Sequence, residues 1–508
     1  MNQLNVTETK VNSAGDSAVF PQGSADFPRR IGILNDYVRV PYANGSSFAS
    51  QFLYREFSAR GHEVTIIGAE DPDAASNELP DSYVCLKSLP LRNHPGVRIA
   101  LPTPRGLQEL ADQKLDITLG QTCTELLEAG IWLRAKQRVP AIAVNTVHLP
   151  SVYNVVLPDS LYQVKAVQGV FEKLVGQVER HQASVYNKGD GLIVLSEGLK
   201  HYWQDRGVKV PIHVIPRSVD PSIFDRGYEH DPFPAQAKRG NRLLVVCRMT
   251  REKEVARLLE LFARLIVPAM PDATLTLVGD GPDYDAFVQL AEKLDVASRT
   301  FFLGERPLQQ IPGFYRHADL FVYTSLSETY GQVVSEALWC GLPVVALADG
   351  MGVSQQVADG ETGVLVDPNS GERAANWRFA KAVITLLRDR NRRQQMSERA
   401  RTVVRERAAP ERCIDGYYEA FDVAREHLAA TPPNKLTDMA RSAQALASWI
   451  TVHLEIAALG LLRKPATINR NGTKQPVWEQ PPEGTSLLES VIPPRGGDSV
   501  ALGSTSSA

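Results

Sequence analysis

The chain has 508 residues, 43% of them hydrophobic and 22% charged, which is long enough for two domains with tails. Its net charge of −3 excludes an overall attraction to nucleic acid or to anionic lipid. The five cysteines are scattered without metal-ligand spacing, which argues against a zinc site and favours a reducing, cytoplasmic compartment. We expect no signal peptide and no transmembrane segment.

The first part of the chain predicts a disordered arm followed by a lobe of alternating strands and helices. Residues 1–28 are polar and rich in Ser, Asn, Thr and Gly, as disordered segments are. The lobe is predicted over residues 29–222, where the alternation is typical of a parallel sheet covered by helices. Its strands are expected at Arg30–Leu34, Val64–Ile67, Asp116–Leu119, Ala141–Val144 and Gly191–Leu195.

A second lobe is predicted over residues 223–411. The proline-rich segment from Pro216 to Gly240 lacks periodicity and indicates a hinge between the lobes. The pattern predicts an α/β protein with two doubly wound, Rossmann-like lobes that face a cleft. The strands of the second lobe are expected at Leu243–Cys247, Leu275–Val278, Thr300–Leu303, Leu320–Thr324, Val344–Ala346 and Val364–Val366.

The C-terminal part predicts a helix over 412–430, a helical extension over 431–464 and a disordered tail over 465–508. The extension carries Trp449, Ile450 and other apolar residues at partly helical spacing. It could lie reversibly on a membrane surface or pack on the protein itself. The second alternative is favoured because the basic face of a membrane-surface helix is poor here.

The most informative stretch carries two glutamates, Glu328 and Glu336, with seven residues between them. Glu328 is predicted at the end of a strand, where ligands bind in an open parallel sheet. The next helix begins near Tyr330, Gly331 and Gln332, and its backbone N–H groups and dipole suit a phosphate. A carboxylate on either side can accept hydrogen bonds from hydroxyls. The stretch therefore predicts a site for a sugar attached to a nucleotide diphosphate.

This stretch, with the turn and strand Cys340-Gly341-Leu342-Pro343-Val344-Val345 that follows it, resembles the retaining family-four glycosyltransferases of the GT-B type. The resemblance spans roughly Arg30 to Leu428. It implies the GT-B fold and the transfer of a hexose from a UDP- or GDP-linked sugar to a lipid or saccharide acceptor. The region from Ser88 to Pro102 resembles bacterial glycolipid glycosyltransferases, although a plain loop would look much the same.

The same resemblance implies catalytic roles for four residues. Arg248 and Lys253 follow a strand and would neutralise the leaving diphosphate, as paired cations can. Glu328 would orient the donor sugar, and His148, which also follows a strand, would lie near that sugar. No metal and no other cofactor is expected, because the two cations already serve the phosphates.

Donor binding is implied for residues of both lobes, with Glu336 on the ribose. The residues are Gly45, Ser46, Gly279, Glu305, Tyr330, Gly331, Gln332 and Glu336. One turn departs from the family: it reads Pro216-Arg217-Ser218-Val219-Asp220 where the family often has Pro-Asn-Gly-Val-Asp. A charge is thereby added near the cleft, and the role of this turn in the family does not carry over.

Other functions are weighed beside the transferase. A catalytically silent, sugar-nucleotide-binding assembly subunit is disfavoured because the predicted catalytic residues occur together. A nicotinamide-dependent redox enzyme is disfavoured because Tyr284 takes the third glycine position of the dinucleotide fingerprint. Glu197 and Lys200 either reach the acceptor or begin a helix. Nucleic acid is not expected as a partner, and the location is expected to be cytoplasmic, at most peripheral on the inner face of the membrane.

Overall fold

The computed structural model describes most of the chain between Pro28 and Gly460. The described residues are 28–36, 38, 45–72, 74, 79–90, 98–121, 125–146, 165–227 and 230–460. His148, the tail predicted over 465–508 and the predicted N-terminal arm, apart from Pro28, lie outside them.

The first sheet is parallel throughout and has the strand order β3-β2-β1-β6-β7-β8-β9. β4 and β5 pair with each other in an antiparallel fashion. The central strands are continuous apolar runs buried on both faces, as parallel sheets require. The described strands up to residue 227 are β1 Arg30–Leu34, β2 Glu63–Ala69, β3 Tyr83–Leu86, β4 Ser88–Pro90, β5 Arg98–Ala100, β6 Ile117–Gly120, β7 Ala141–Val144, β8 Gly191–Val194 and β9 Ile212–Val214.

Helices cover this sheet, and we call the whole unit the first lobe. Several begin with ordinary capping: Thr103 accepts a hydrogen bond from the N–H of Gly106 at the start of α2, and Ser196 accepts one from Leu199 at the start of α5. The described helices of this lobe are α1 Gly45–Ala59, α2 Pro104–Asp112, α3 Glu125–Gln137, α4 Lys165–Tyr186, α5 Glu197–Asp205 and α6 Pro221–Phe224.

The second sheet, with its helices, forms the second lobe. Its strands are also parallel and follow the order β12-β11-β10-β13-β14-β15. In both sheets the order reverses beside the first strand of the lobe, and such switch points open a crevice at the carboxyl ends of the strands. The strands are β10 Arg242–Val246, β11 Thr274–Val278, β12 Thr300–Phe302, β13 Leu320–Tyr323, β14 Val344–Leu347 and β15 Gly363–Val366.

The helices of the second lobe alternate with its strands along the chain. A π-helical turn, Phe262–Ile266, joins α7 to α8. The α-helices are α7 Val255–Leu261, α8 Val267–Ala269, α9 Tyr284–Lys293, α10 Ile311–His317, α11 Gln332–Trp339, α12 Gly352–Gln356, α13 Glu372–Arg388 and α14 Arg390–Arg407. Short 3₁₀ turns occur at Ala237–Arg239, Arg251–Lys253, Ala297–Arg299, Leu308–Gln310 and Pro368–Ser370.

After the second lobe, helix α15, Pro410–Ala430, packs on the first. Tyr417, Tyr418 and Phe421 surround the ring of Phe57 on α1, with ring centroids 5.7–6.0 Å apart. The Nε2 atom of His62 lies 2.9 Å from the hydroxyl of Tyr418. The core of the first lobe thus includes side chains from a helix that follows the second lobe in the chain.

The last described helix, α16 Lys435–Gly460, packs against α3. Trp449 is fully buried, and its indole N–H donates to the carbonyl of Ala100 at 3.0 Å. Ser448 accepts a hydrogen bond from Lys188 at 3.3 Å. The helix therefore uses Trp449 against the protein itself, whereas Ile450 is largely exposed. Among the described helices, none is both long and apolar enough to cross a membrane.

The predicted fold class is confirmed: the chain is an α/β protein with two parallel, doubly wound sheets. Every strand that the sequence predicts is present to within one or two residues, as the bounds above show. Four short strands were missed, namely β3, β4, β5 and β9.

Candidate functional site

A cavity of about 820 Å³ lies between the two sheets. The first lobe contributes Gln121, Val144 and Leu195, at the carboxyl ends of β6, β7 and β8. The second lobe contributes Arg248 and Gly279, which follow β10 and β11. The volume is that of a small-molecule site, and the carboxyl ends of strands are where open parallel sheets bind their ligands.

The predicted site residues that the structure describes fall into two groups. The first group lines the cavity and consists of Gly45, Arg248, Gly279, Glu305, Gln332 and Glu336. The second group does not line the cavity and consists of Ser46, Lys253, Glu328, Tyr330 and Gly331, of which Ser46 and Gly331 are chain neighbours of lining residues. Both lobes therefore bring predicted residues to the cavity, but Lys253 and Glu328 are not among its lining residues. His148 lies outside the described residues.

Glu336 is a buried carboxyl group on the wall of the cavity. The hydroxyl of Tyr315 donates a hydrogen bond to its Oε2 atom at 3.0 Å. Burial raises the pKa of Glu336 to about 8, although the hydrogen bonds with Tyr315 and Gln332 oppose the rise. At neutral pH the group is mostly protonated, so it can both donate and accept hydrogen bonds.

Lys253 and Glu328 form an ion pair, with 2.5 Å between Nζ and Oε1. Tyr323 and Ser325 also donate to this carboxylate oxygen, at 2.7 and 2.8 Å. Burial alone would raise the pKa of Glu328, but the charge of Lys253 and these hydrogen bonds outweigh it and hold the pKa below its ordinary value. Burial likewise opposes the charge of Lys253, yet Glu328 raises the pKa of Lys253. Lys253, predicted to bind the phosphate, and Glu328, predicted to bind the sugar, are therefore both charged and bound to each other.

The start of α11 is fixed by contacts from the first lobe. Gly331 precedes the helix in the left-handed conformation, with φ 79°. The side chain of Tyr330 is buried, and its hydroxyl donates to the carbonyl of Arg217 at 3.0 Å. Gln332 donates from its amide to the carbonyl of Ser218 at 3.0 Å. Tyr330 therefore joins the lobes through its hydroxyl group, and its part in donor binding stays a prediction.

Several cavity residues were missed by the sequence analysis. Phe48 and Phe52 lie four residues apart on α1 and both line the cavity, a spacing that could have marked them. Arg55 also lines the cavity and forms an ion pair with Asp220, with 2.7 Å between Nη1 and Oδ2. Arg217, the charge that departs from the family pattern, lies on the cavity wall.

Two further features bear on the alternatives. Glu197 is the first residue of α5 and lies 3.7 Å from Lys200, as the helix-start alternative predicts. Among the described residues, no three side chains of His, Cys, Asp or Glu are grouped so that they could hold a metal ion.

Comparison with known proteins assigns the chain to a family. A family model described as Glycosyltransferase Family 4 matches residues 44–223, and one described as Glycosyl transferases group 1 matches residues 229–403. The chain belongs to the family-four glycosyltransferases. The two matches follow one another along the chain, one in each lobe, so the family resemblance seen around Glu328 and Glu336 is confirmed.

Named relatives of this family-four chain act on different acceptors. Alpha-monoglucosyldiacylglycerol synthase of Streptococcus pneumoniae is 26% identical over 326 residues, which are 62% of this chain and 70% of the relative. D-inositol 3-phosphate glycosyltransferase of Rhodococcus jostii is 31% identical over 308 residues, 58% of this chain and 63% of the relative. The matched segment thus spans less than two thirds of the second relative.

Solved structures confirm the GT-B fold of the family-four chain. The Anabaena protein HepE, solved in complex with UDP-glucose, is 18% identical with a TM-score of 0.56 and covers 79% of this chain and 100% of its own. Sucrose-phosphate synthase from Thermosynechococcus elongatus is 20% identical with a TM-score of 0.56 and the same coverage. At these identities the likeness concerns the fold alone.

Proposed function

We propose that the chain is a retaining glycosyltransferase that moves a hexose from a UDP- or GDP-linked sugar to a lipid or saccharide acceptor. The observation that carries this proposal is the cavity between the carboxyl ends of both sheets, where Arg248, Gln332 and Glu336 converge. Support also comes from the names of the relatives, which act on a diacylglycerol lipid and on inositol 3-phosphate, and from HepE, which was solved with UDP-glucose.

The diphosphate of the donor is assigned to Arg248, Lys253 and the start of α11. Fixed cations and helix N–H groups stabilise the charge that develops as the diphosphate leaves. Lys253 does not line the cavity and is bound to Glu328 in the ion pair described above. When the donor binds, we expect Lys253 to share its hydrogen bonds with the phosphate, and Glu328 to accept one from a sugar hydroxyl.

The chemical step follows the front-face course described for the family. The bond between the anomeric carbon and the leaving phosphate oxygen breaks, and a bond to the acceptor oxygen forms on the same face. The acceptor proton passes to the leaving phosphate, so no separate general base is needed. The same positive groups that bind the ground state stabilise the extra negative charge on the phosphate in the transition state.

The ribose is assigned to Glu336. Glu336 belongs to helix α11 and lines the cavity together with Gln332, the first residue of that helix. A carboxylate that accepts hydrogen bonds from two neighbouring hydroxyls is a strong acceptor. Because burial raises the pKa of Glu336 to about 8, we expect donor affinity to increase as the pH rises toward that value.

We propose that the transfer requires no bound metal, since Arg248 and Lys253 supply the positive charge. Activity should therefore persist after dialysis against EDTA. A loss that Mg²⁺ or Mn²⁺ restores would contradict this part of the proposal.

The deciding experiment is a transfer assay with UDP- and GDP-hexoses and a panel of diacylglycerol, monoglycosyl lipid and saccharide acceptors. Products are identified by mass spectrometry, and their anomeric configuration by NMR. The Lys253→Ala variant should lose about 100-fold in kcat, whereas Lys238→Ala, which removes a lysine that faces Asp231 rather than Glu328, should remain fully active. Inversion at the anomeric carbon would contradict the retaining mechanism.

The same assay separates the rivals. Donor binding without turnover of any acceptor would favour the catalytically silent assembly subunit, and consumption of a nicotinamide cofactor would favour the redox enzyme. We further propose a cytoplasmic location with at most reversible contact at the inner face of the membrane. The four described cysteines are free thiols, as a reducing compartment allows.

A further inference from the structure

Arg217 adds a cation to the cavity from the lobe opposite Arg248, and Arg55 and Arg306 line the same cavity. Arg217 follows β9, the last strand of the first sheet, and lies on the cavity wall. The Nη1 atom of Arg217 donates a hydrogen bond to the carbonyl oxygen of Gly45 at 2.7 Å. Its own carbonyl accepts the hydrogen bond from Tyr330, at 3.0 Å. The backbone is thus held by the second lobe and the side chain by the first.

The charge of Arg217 is not matched by an acidic side chain. Among the described residues, Arg217 forms no ion pair, whereas Arg55 on the same cavity binds Asp220 at 2.7 Å. Burial lowers the pKa of Arg217, but a guanidinium remains protonated in proteins. A cation kept in a partly buried place without a counter-ion costs free energy. Charged groups in such unfavourable surroundings cluster at functional sites, and an anionic ligand would supply the missing counter-ion here.

Two neighbouring features describe the surroundings of the guanidinium. Gly45 has no side chain, and a Cβ atom there would lie 2.8 Å from NH1 of Arg217, so the guanidinium and the backbone meet at close contact. Glu336, on the same cavity, is mostly protonated at neutral pH because burial raises its pKa to about 8. The cavity therefore carries less negative charge than its carboxyl groups suggest.

We propose that Arg217 binds the diphosphate of the nucleotide-sugar donor from the first lobe, opposite Arg248 of the second. The inference deepens the proposed function and rests on it. A guanidinium presents two parallel donors to phosphate oxygens, so it both binds and orients the group. Because the two arginines belong to different lobes, the diphosphate then bridges the lobes and is held on both sides while the sugar leaves.

The test compares the affinity for a nucleoside diphosphate with that for the nucleoside alone. UDP, GDP, uridine and guanosine are titrated calorimetrically into the full-length wild type, Arg217→Met and Arg217→Lys. The matched control is Arg405→Met, which removes an arginine that binds Asp225 at 2.6 Å and does not line the cavity. We expect Arg217→Met to weaken binding of the preferred nucleoside diphosphate by about 10- to 100-fold and to leave the nucleoside within about twofold. The lysine variant should be intermediate and the control unchanged.

Each other outcome overturns the inference in a distinct way. An equal loss for nucleoside and diphosphate would mean that Arg217 only supports the backbone at Gly45. A higher KM for phosphorylated acceptors with unchanged UDP affinity would place the acceptor on Arg217 instead. If Arg217→Met does not fold, Arg217→Lys decides: a weaker preference for the diphosphate over the nucleoside than in the wild type supports the inference, and an unchanged preference overturns it. A wild type that binds no nucleoside diphosphate would refute the proposed function itself, whereas an unchanged preference in both variants would refute only the role of Arg217.

Discussion

Replacing Glu336 by glutamine tests whether this carboxyl group carries a proton in the folded chain. Glutamine has nearly the same size but does not ionise. Burial raises the pKa of Glu336 from 4.5 to about 8, whereas in the unfolded chain the group titrates near its ordinary value. The folded chain therefore binds the proton more tightly. The resulting stabilisation is complete below about pH 4.5 and is lost as the pH rises through 8.

The magnitude follows from the gap between the two pKa values. From 4.5 to about 8 the gap is about 3.5 units, and each unit corresponds to about 1.36 kcal/mol. Between pH 5 and pH 9, the free energy of unfolding of the wild type should fall by about 4 kcal/mol relative to Glu336→Gln. The side chain is only 8% exposed, so solvent screening reduces this figure little.

The assay is urea unfolding of both chains from pH 5 to pH 9, followed by tryptophan fluorescence. Groups that titrate in both chains cancel in the difference, and a two-lobed chain is compared transition by transition because it need not unfold in one step. Glu361→Gln is the control, since Glu361 forms an exposed ion pair with Arg399 at 2.9 Å. A difference between wild type and Glu336→Gln that stays constant with pH would refute the reasoning.

Three other predictions concern the cations and the last helix. Arg248→Ala and Lys253→Ala should each lower kcat by about 100-fold, and Arg251→Ala should have a mild effect; a larger loss in Arg251→Ala would mean that the phosphate is misplaced. Trp449→Ala should lower the free energy of unfolding by about 3–5 kcal/mol in urea titrations, and an unchanged value would contradict the packing of this indole against the first lobe. The full chain and one ending at Ala430 should float equally with liposomes, because Trp449 is buried; weaker flotation of the shorter chain would give α16 a membrane role.

The sequence predicts the central strands well because each consists mostly of buried apolar residues. β13 and β14 are fully buried along their length, and such runs have few alternatives. The missed strands lie at sheet edges or in a separate pair, are three or four residues long, and are partly exposed. Short, half-exposed segments carry neither a clear alternation nor an apolar run, so sequence periodicity does not reveal them.

The candidate site was predictable in position but not in its internal contacts. The spacing of Glu328 and Glu336 predicts helix α11 and the strand before it. Arg248 and Gly279 were predicted at the cleft because they follow predicted strands, and both line the cavity. The ion pair of Lys253 with Glu328 joins residues 75 positions apart, and only the folded sheet brings them together. The raised pKa of Glu336 likewise depends on its burial in the folded chain, which no local pattern encodes. The roles assigned to these residues remain predictions.

The packing of α15 on the first lobe has a consequence for biosynthesis. The hydrogen bond between His62 and Tyr418 joins residues 356 positions apart. The ring of Phe57 also packs against Tyr418 of this helix. While the chain is still on the ribosome, the first sheet is complete long before this helix emerges, so part of its apolar core stays exposed during translation. Such intermediates are prone to aggregate. We therefore expect residues 29–222 expressed alone to be poorly soluble, and co-expression with a separate 410–460 fragment to improve their yield.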